Sequence, residues 1–489
     1  MKDNESVLSK YELVVGLEIH VQLSTNTKIF SYDSAAYGAD PNENTSIISL
    51  GLPGTLPKLN KKVVEYAVKM GLATNCSITR NNRFDRKNYF YADLPKGYQV
   101  TQDEAPICKE GYILINIKGQ EPVKVRINRI HMEEDAGKSM HDKDDHYSLI
   151  DLNRAGVPLI EIVSEPDIRT PEQAAAYFSE IRKIAMYLDI CDGNMEEGSM
   201  RCDANISVRL KGDEKFGNRC EVKNLNSVRN LQRAISYEFK RQVGLLEDGE
   251  YIGQNTLNFD AGTGTTSVLR SKEMAYDYRY FPEPDLQPLE LSAEWIEGIR
   301  KALPELPEAR SQRYQTANNL SAYDSGILSN DKQVADFFDE VILHTKNQKA
   351  AANWILGPIL SYVNEHSSES FAVPVKADKI AEMISLVDDG KINNSAATQQ
   401  LFPALIQNPD ASVQQLAEKM NLLIDTNTDE LVKFIDEAIA LYPDKVAEFN
   451  KGKKGVLGLF MGEVMKLSKG KIDPKQANKL VIEKLESFK

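Results

Sequence analysis

Cysteine is scarce in this 489-residue chain. The five present (Cys76, Cys108, Cys191, Cys202 and Cys220) are odd in number and form no CxxC pair. That excludes a cysteine zinc site and suits a reduced, cytoplasmic compartment. Histidine is nearly as rare, at six residues. No uncharged apolar run approaches a membrane span, so no membrane partner is expected. The opening Met1-Lys2-Asp3-Asn4-Glu5 lacks the apolar core of a signal peptide. No Gly-x-x-x-x-Gly-Lys-[Ser/Thr] phosphate loop occurs. Positive charge is also in deficit: the formal net charge of −13 argues against a globally basic nucleic-acid coat, though a local basic patch stays open.

What is present fits a globular protein with two or three domains. Hydrophobic residues make up 42% and charged residues 27%. The polar residues that stand out lie in two short stretches. His131-Met132-Glu133-Glu134-Asp135-Ala136-Gly137-Lys138 gathers an imidazole, three carboxylates and a lysine, with a glycine to let the backbone turn. Gly16-Leu17-Glu18-Ile19-His20-Val21 alternates as a strand does, so Glu18 and His20 share one face. Carboxylates with one imidazole suit a hard divalent cation. A metal held by carboxylates near a lysine is what phosphoryl transfer from ATP requires. Either stretch alone reads more readily as a solvated face than as a site; two scarce histidines in acid-rich settings tip the pair toward a site.

Taken in order, residues 11–165 read as β-rich, with strands at Tyr11–Leu23, Tyr112–Ile117 and Val123–Arg129 and a helix at Lys61–Ala73. Phe84–Tyr91 mixes cations with aromatics and reads as a strand with a snorkelling arginine or as a stacking surface. Leu159–Val163 is a buried strand. Thr170, Pro171 and Glu172 cap a helix running to about Leu188. In Met200–Val208 the polar Arg201, Asp203, Asn205 and Ser207 share one face, and Glu221 and Lys223 share another. Ser227 caps a further helix through Gln242. The two prolines in Arg279–Asp285 suggest a rigid extended linker. Beyond residue 291 strand signals nearly vanish, and helices are expected near 292–302, 331–345, 349–365, 376–388, 393–402 and 411–421. Residues 451–484 carry a dense set of lysines, a local cationic surface suited to phosphate contacts or a solvated helix rim.

The motifs GLEIHVQL, FDRKNYFYADLPKGYQVTQ, HMEEDAGK, DLNRAGVPLIEIVSEPD, MEEGSMRCDANISV and EVKNLNS, in this order, resemble the family of B subunits of aspartyl/glutamyl-tRNA amidotransferases. The resemblance spans essentially the whole chain, including the Lys-Gly-Lys-Lys-Gly tail. It implies an α+β fold: an antiparallel-sheet cradle at 1–291 similar to glutamine synthetase, an all-α helical domain at 292–409, and a small YqeY-like, tRNA-binding helical tail at 410–489. The absence of room for a large insertion between Leu291 and Ala322 favours the bacterial type.

The resemblance also implies a ligase that uses ATP and Mg2+ to phosphorylate the side-chain carboxylate of mischarged Glu-tRNA(Gln) or Asp-tRNA(Asn). Ammonia from a partner glutaminase, the A subunit, then displaces phosphate, within a heterotrimer completed by the C subunit. No amidase signature occurs in this chain, so ammonia must come from the partner. Carried over by position, Glu18, His20 and Glu134 are the expected metal ligands. Lys138 and Arg201 are expected to contact phosphate, and Asp203, Glu221 and Lys223 to form the catalytic wall. Lys451, Lys453, Lys454, Lys466, Lys469 and Lys471 are the expected tRNA-binding residues. Two other readings compete: a tRNA-binding scaffold, which leaves the acidic motifs without purpose, and a small-molecule amide ligase, which has no use for the basic tail.

Overall fold

The computed structural model describes residues 5–141, 143–144, 146–271, 278–366, 371–424, 428–450, 452–468, 472 and 474–488. The chain divides into two compact units, Met1–Pro307 and Glu308–Lys489.

The first unit contains sixteen strands among its described residues. They are β1 (Tyr11–Gln22), β2 (Ser77–Ile78), β3 (Asn81–Asn82), β4 (Asp85–Asn88), β5 (Tyr98–Thr101), β6 (Cys108–Ile115), β7 (Val123–Glu134) and β8 (Lys138–Met140). After them come β9 (Leu149–Asp151), β10 (Pro158–Ser164), β11 (Met200–Leu210), β12 (Cys220–Leu225), β13 (Asn255–Asp260), β14 (Thr265–Ser271), β15 (Arg279–Pro282) and β16 (Leu289–Glu290). Its helices are α1 (Glu5–Leu8), α2 (Lys61–Ala73), α3 (Pro171–Tyr187), α4 (Val228–Glu247) and α5 (Ala293–Lys301).

Nine strands form one sheet in the order β14-β13-β12-β11-β1-β10-β7-β6-β2. All neighbours are antiparallel except β12 and β13. The expected antiparallel sheet is therefore mixed. The parallel pair follows from chain order, because α4 lies between its strands and a parallel partner can be reached only by a crossover.

Strand β1 lies at the centre and shows why the sheet has two unlike faces. Val15, Leu17, Ile19 and Val21 are fully buried against Val63, Ala67 and Val68 of α2, Tyr177, Phe178 and Ile181 of α3, and Leu231, Ala234 and Ile235 of α4. Their alternates Glu18, His20 and Gln22 face the other way. Each buried branched or aromatic side chain contributes on the order of 1.5–3 kcal/mol, so the helices fix which face is left for polar groups. Thr170 and Ser227 cap α3 and α4 by accepting from the amides of Gln173 and Asn230.

The polar face is roofed by a second sheet, β15-β4-β5. This corrects the linker expected at Arg279–Asp285. Pro282 ends β15, an edge strand, where a missing amide donor breaks no ladder. The segment is pinned by Glu283, whose carboxylate accepts from Arg86 Nε at 2.8 Å and Nη2 at 2.9 Å. Arg86 also lies 4.2 Å from the centroid of the Tyr98 ring.

The boundary expected near residue 291 falls later. Leu291 and Ile299 are buried in the core of the first unit, and Trp295 packs against it, so α5 belongs with the sheet. The second unit is helical and has two separate cores, one around Tyr314, Phe338, Trp354 and Phe402 and one around Leu431, Phe460 and Leu485. Val413 and Ala417 belong to the earlier core, so residue 410 does not divide the two. The Gly357-Pro358 break is a π-turn at Ile355–Ile359, and a second at Ala397–Leu401 precedes Pro403. In both places a proline withholds an amide hydrogen, and the helix widens rather than ends. No helix among the described residues is long and apolar enough to cross a membrane.

A fragment ending at residue 307 should melt cooperatively and at higher temperature than one ending at 291, because α5 covers α2. Loss of Trp295 and Ile299 burial removes roughly 2–4 kcal/mol. Thermal unfolding followed by circular dichroism tests this; equal melting temperatures would show that α5 adds nothing to the first unit.

Candidate functional site

Two cavities lie on opposite faces of β7, and strand alternation decides which residues line each. His131 and Glu133 project to the roofed side, and Glu134 projects to the other.

The roofed cavity, of about 270 Å³, is lined by Glu18, His20, His131, Glu133, Glu161, Asp203, Glu221 and Lys223 from the large sheet, and by Lys87, Tyr278 and Tyr280 from the roof. Its acids form two groups. In the first, His20 Nε2 lies 3.6 Å from both Glu133 Oε1 and Glu161 Oε2. His131 Nε2 lies 3.2 Å from Glu161 Oε2 and 3.7 Å from Glu133 Oε2. Register produces this: Glu161 on β10 stands between His20 on β1 and His131 on β7. In the second group, Glu18, Asp203 and Glu221 come together on β1, β11 and β12. Lys223 Nζ bridges Asp203 and Glu221 at 2.8 and 2.7 Å, and Asn205 donates to Glu18 at 2.9 Å.

The electrostatics follow from burial and proximity. Burial raises the Glu18 carboxyl above its usual range, and Glu161, Glu221 and Asp203 raise it further. Burial works against ionisation of Glu161 too, but the His131 and His20 imidazoles pull it well below the ordinary carboxylate range. The same contacts overcome the burial of His131 and push it up to about 9. Both acidic groups could hold a divalent cation: each offers three ligand atoms within 4.8 Å of one another, nearly all oxygen. The Nδ1 atoms of His20 and His131 are buried without a hydrogen-bond partner.

Glu134 does not join Glu18 and His20. It lines the second cavity, of about 220 Å³, with Lys28, Lys96, Tyr98 and Asp285. There it contacts Lys96 Nζ and accepts from the Val100 amide at 2.8 Å. The expected ligand set is corrected for a simple reason: adjacent residues of one strand cannot share a face. Lys28 is fully buried in the same wall, donating to the carbonyls of Asn44 and Leu152 at 2.6 and 3.2 Å, and burial lowers its pKa to about 8.

The two expected phosphate contacts are also corrected. Arg201 is engaged at both terminal nitrogens by Asp135, at 3.1 and 3.0 Å. Asp135 is also approached by Arg154 and by Gln22 Nε2 at 2.9 Å, so Arg201 braces the turn after β7. Lys138 is exposed and lines a separate cleft with Asp151 and Arg154. Gly137 serves close approach rather than a left-handed turn. A Cβ there would stand 2.9 Å from the Asp151 carbonyl and 3.0 Å from that of Asp93.

Asp203, Glu221 and Lys223 are brought together as expected. Of the tail lysines, Lys451, Lys469 and Lys471 lie outside the described residues. Lys453 and Lys454 are exposed, Lys453 within 3.5 Å of Glu448, and Lys466 pairs with Glu463 at 3.1 Å. Sequence reasoning missed Glu161. Its signal was a lone carboxylate in the apolar run Leu159–Val163, on a strand whose register only the fold reveals.

Comparison with known proteins accords with this arrangement. Residues 13–297 match the family model of the GatB/GatE catalytic domain, and residues 336–485 match that of the GatB domain. The first match takes in the whole roofed cavity, and its class is thus a catalytic domain. Three similar relatives are each named as the B subunit of an aspartyl/glutamyl-tRNA(Asn/Gln) amidotransferase. The relative from Syntrophotalea carbinolica is 47% identical over 98% of this chain and 99% of its own length. That from Moorella thermoacetica is 46% identical over 97% and 100%, and that from Thermosynechococcus vestitus 48% over 97% and 96%. The chain belongs to the GatB family.

Two measurements check the site. Mn2+ titration should show His20→Ala and Glu161→Gln each weakening cation affinity at least about tenfold, as loss of a ligand does, while Glu134→Gln changes it little. Equal loss from Glu134→Gln would move the site to the other face of β7. In cation-free protein the raised His131 pKa contributes stability that is full below about pH 6.5 and is lost as pH rises through about 9. Denaturant unfolding in chelator should therefore show His131→Asn destabilising more at pH 6 than at pH 9.5.

Proposed function

We propose that the roofed cavity is where the side-chain carboxylate of a mischarged aminoacyl-tRNA is activated. The chain is the B subunit of a glutamyl/aspartyl-tRNA amidotransferase. This ligase uses ATP and Mg2+ and works with two partners: a glutaminase, which is the A subunit, plus the C subunit. One observation carries the assignment of the site: two neighbouring groups of buried and half-buried acids line one cavity beneath a cationic and aromatic roof.

The chemistry needs such a place. A carboxylate is a poor electrophile until one oxygen can leave. In the first step that oxygen attacks the terminal phosphorus of ATP; the bond from phosphorus to the bridging oxygen breaks, and ADP departs. In the second, ammonia attacks the carbonyl carbon, the carbon–oxygen bond to the phosphoryl group breaks, and inorganic phosphate leaves behind an amide. His20, Glu133 and Glu161, and separately Glu18, Asp203 and Glu221, would hold the Mg2+ ions. Bound there, Mg2+ neutralises charge developing on the phosphoryl oxygens.

This chain's residues do the rest. His131 orients Glu161, and Lys223 holds Asp203 and Glu221 in place between cation-binding events. Tyr278, Tyr280 and Lys87 cover the cavity, and a covered site protects an acyl phosphate from water. The family resemblance implies a likeness of this unit to glutamine synthetase, which activates glutamate by the same acyl phosphate; a large sheet with helices on one face and a polar face on the other is compatible with it. Five unpaired, buried cysteines favour a cytoplasmic location. The tail lysines supply electrostatic affinity for tRNA phosphates.

The test is the assembled heterotrimeric enzyme with mischarged tRNA, ATP, Mg2+ and glutamine. Unaltered enzyme should release ADP in a tRNA-dependent way and yield amidated aminoacyl-tRNA. Glu133→Gln or His20→Ala should lower that rate by at least about a hundredfold, or roughly 2.7 kcal/mol of barrier, and leave glutamine hydrolysis intact. Near-normal product from either variant at saturating Mg2+ would remove the catalytic assignment. Replacing Lys453, Lys454 and Lys466 together by Ala should raise KM for charged tRNA and flatten its salt dependence. An unchanged salt slope would make these lysines a solvated rim.

A further inference from the structure

Among the described residues of the roofed cavity, one cation has nothing to hold. Lys223 is paired with two carboxylates, and Lys87 rests 4.7 Å from the centroid of the Tyr278 ring. Arg129 lines the same cavity, and its Nε is buried without a hydrogen-bond partner. Among the described residues no carboxylate lies within ion-pairing distance of its guanidinium, although Glu133, Glu161 and Asp103 line the same space. Arg129 as a whole is half-buried, but a buried N–H donor with no partner carries a desolvation cost that nothing compensates. A fork of donors left vacant beside so many acids is set for an anion that arrives from outside.

Position indicates which anion. Arg129, His131 and Glu133 stand at alternate positions of β7, so Arg129 begins about 7 Å along the strand from His131. In the cross-strand row, Asp203 pairs with Glu18, Glu18 with Val163, and Val163 with Arg129. Arg129 is thus two strands from Glu18, about 10 Å, and only the uncharged Val163 lies between. The gap has acidic groups that would carry cations on one side and a planar bidentate donor on the other. A tetrahedral, multiply charged group fits there, its oxygens shared between the cations and the guanidinium.

We infer that Arg129 is a catalytic residue that binds the phosphoryl group as it passes from ATP to the substrate carboxylate. The inference rests on the reading of this cavity as the site of carboxylate activation. Arg129 takes the role that Arg201 cannot, since Arg201 is held by Asp135. It donates to two oxygens of the transferring phosphoryl group while the bond to the bridging oxygen breaks and the bond to the carboxylate oxygen forms. It gives up no proton. Its charge stays through both steps, so it also favours departure of inorganic phosphate when ammonia displaces it.

The experiment uses the assembled enzyme and measures tRNA-dependent ADP release. Arg129→Met should lower kcat by about 100- to 1,000-fold, as loss of a donor aimed at developing charge does. KM for ATP and for charged tRNA should stay within about threefold. Arg129→Lys should recover part of the rate, because a point charge replaces the fork. Mn2+ affinity and glutamine hydrolysis should be unchanged. If Arg129→Met fails to assemble, Arg129→Lys alone decides, with a kcat loss of about tenfold or more expected. A kcat within threefold of the unaltered enzyme would overturn the inference. So would a rise in KM for charged tRNA at constant kcat, which would mean that Arg129 holds the substrate carboxylate. A parallel loss of Mn2+ affinity would also overturn it, by making Arg129 a support of the acid groups. No tRNA-dependent ADP release from the unaltered complex would fail the reading of the cavity itself, a result distinct from all of these.

Discussion

Mutual repulsion among buried and half-buried carboxylates is the constraint around which the first unit is organised. Glu18, Glu133, Glu161, Asp203, Glu221 and Asp103 open into one cavity. Two like charges 4 Å apart repel by about 4 kcal/mol at the effective dielectric of a protein site, and several such pairs rival the net stability of a whole domain. The fold accommodates this in two ways. It answers locally with His20, His131 and Lys223, which stand between the acids. It answers globally by backing the acidic face with a continuous apolar layer from α2, α3 and α4, so that the strands cannot twist away to separate the charges. The cluster is the kind of destabilised polar site that enzymes retain because it binds cations.

Much of this is legible in the chain itself. Lys61–Ala73 forms the helix its apolar spacing implies, and Thr170 and Ser227 cap their helices. β1 is a strand with Glu18 and His20 on one face. These features are local, and local chemistry determines them. The errors share a cause. A shared motif groups Glu134 with Glu18 and His20, but proximity in sequence within a strand means opposition in space. Arg201 looks available in the sequence because its partner Asp135 lies 66 positions away, and Lys138 because nothing local shows that its side chain lines a separate cleft. Glu161 and Arg129 escape notice because each becomes meaningful only when β10 is placed between β1 and β7. The proline-marked linker is β15 because an edge strand tolerates what a central strand does not.

Two walls of the same strand serve different neighbourhoods. Glu133 meets imidazoles beneath the roof, and Glu134 meets Lys96 in a cavity of its own. Consecutive carboxylates thus lead separate lives, each with its own counter-charge. This permits a short acidic motif to supply two sites without either titrating the other through direct contact. Asp135, next in line, has turned structural and anchors Arg201 and Arg154.

The roof over the acids is closed by Arg86 and Glu283, which are 197 positions apart. A ribosome adding roughly 5–20 residues each second needs about ten to forty seconds to make the interval between them. In the later part of that time, once β10 has been made, β1, β7 and β10 can pair and begin to bury their apolar face while the acidic face stays open to solvent and its salts. The growing chain therefore assembles its scaffold before it can enclose a nucleotide. Any polypeptide that stops short of β15 carries the acid groups beneath a roof lacking its last strand, and is left without the full enclosure on which a hydrolysis-prone intermediate depends.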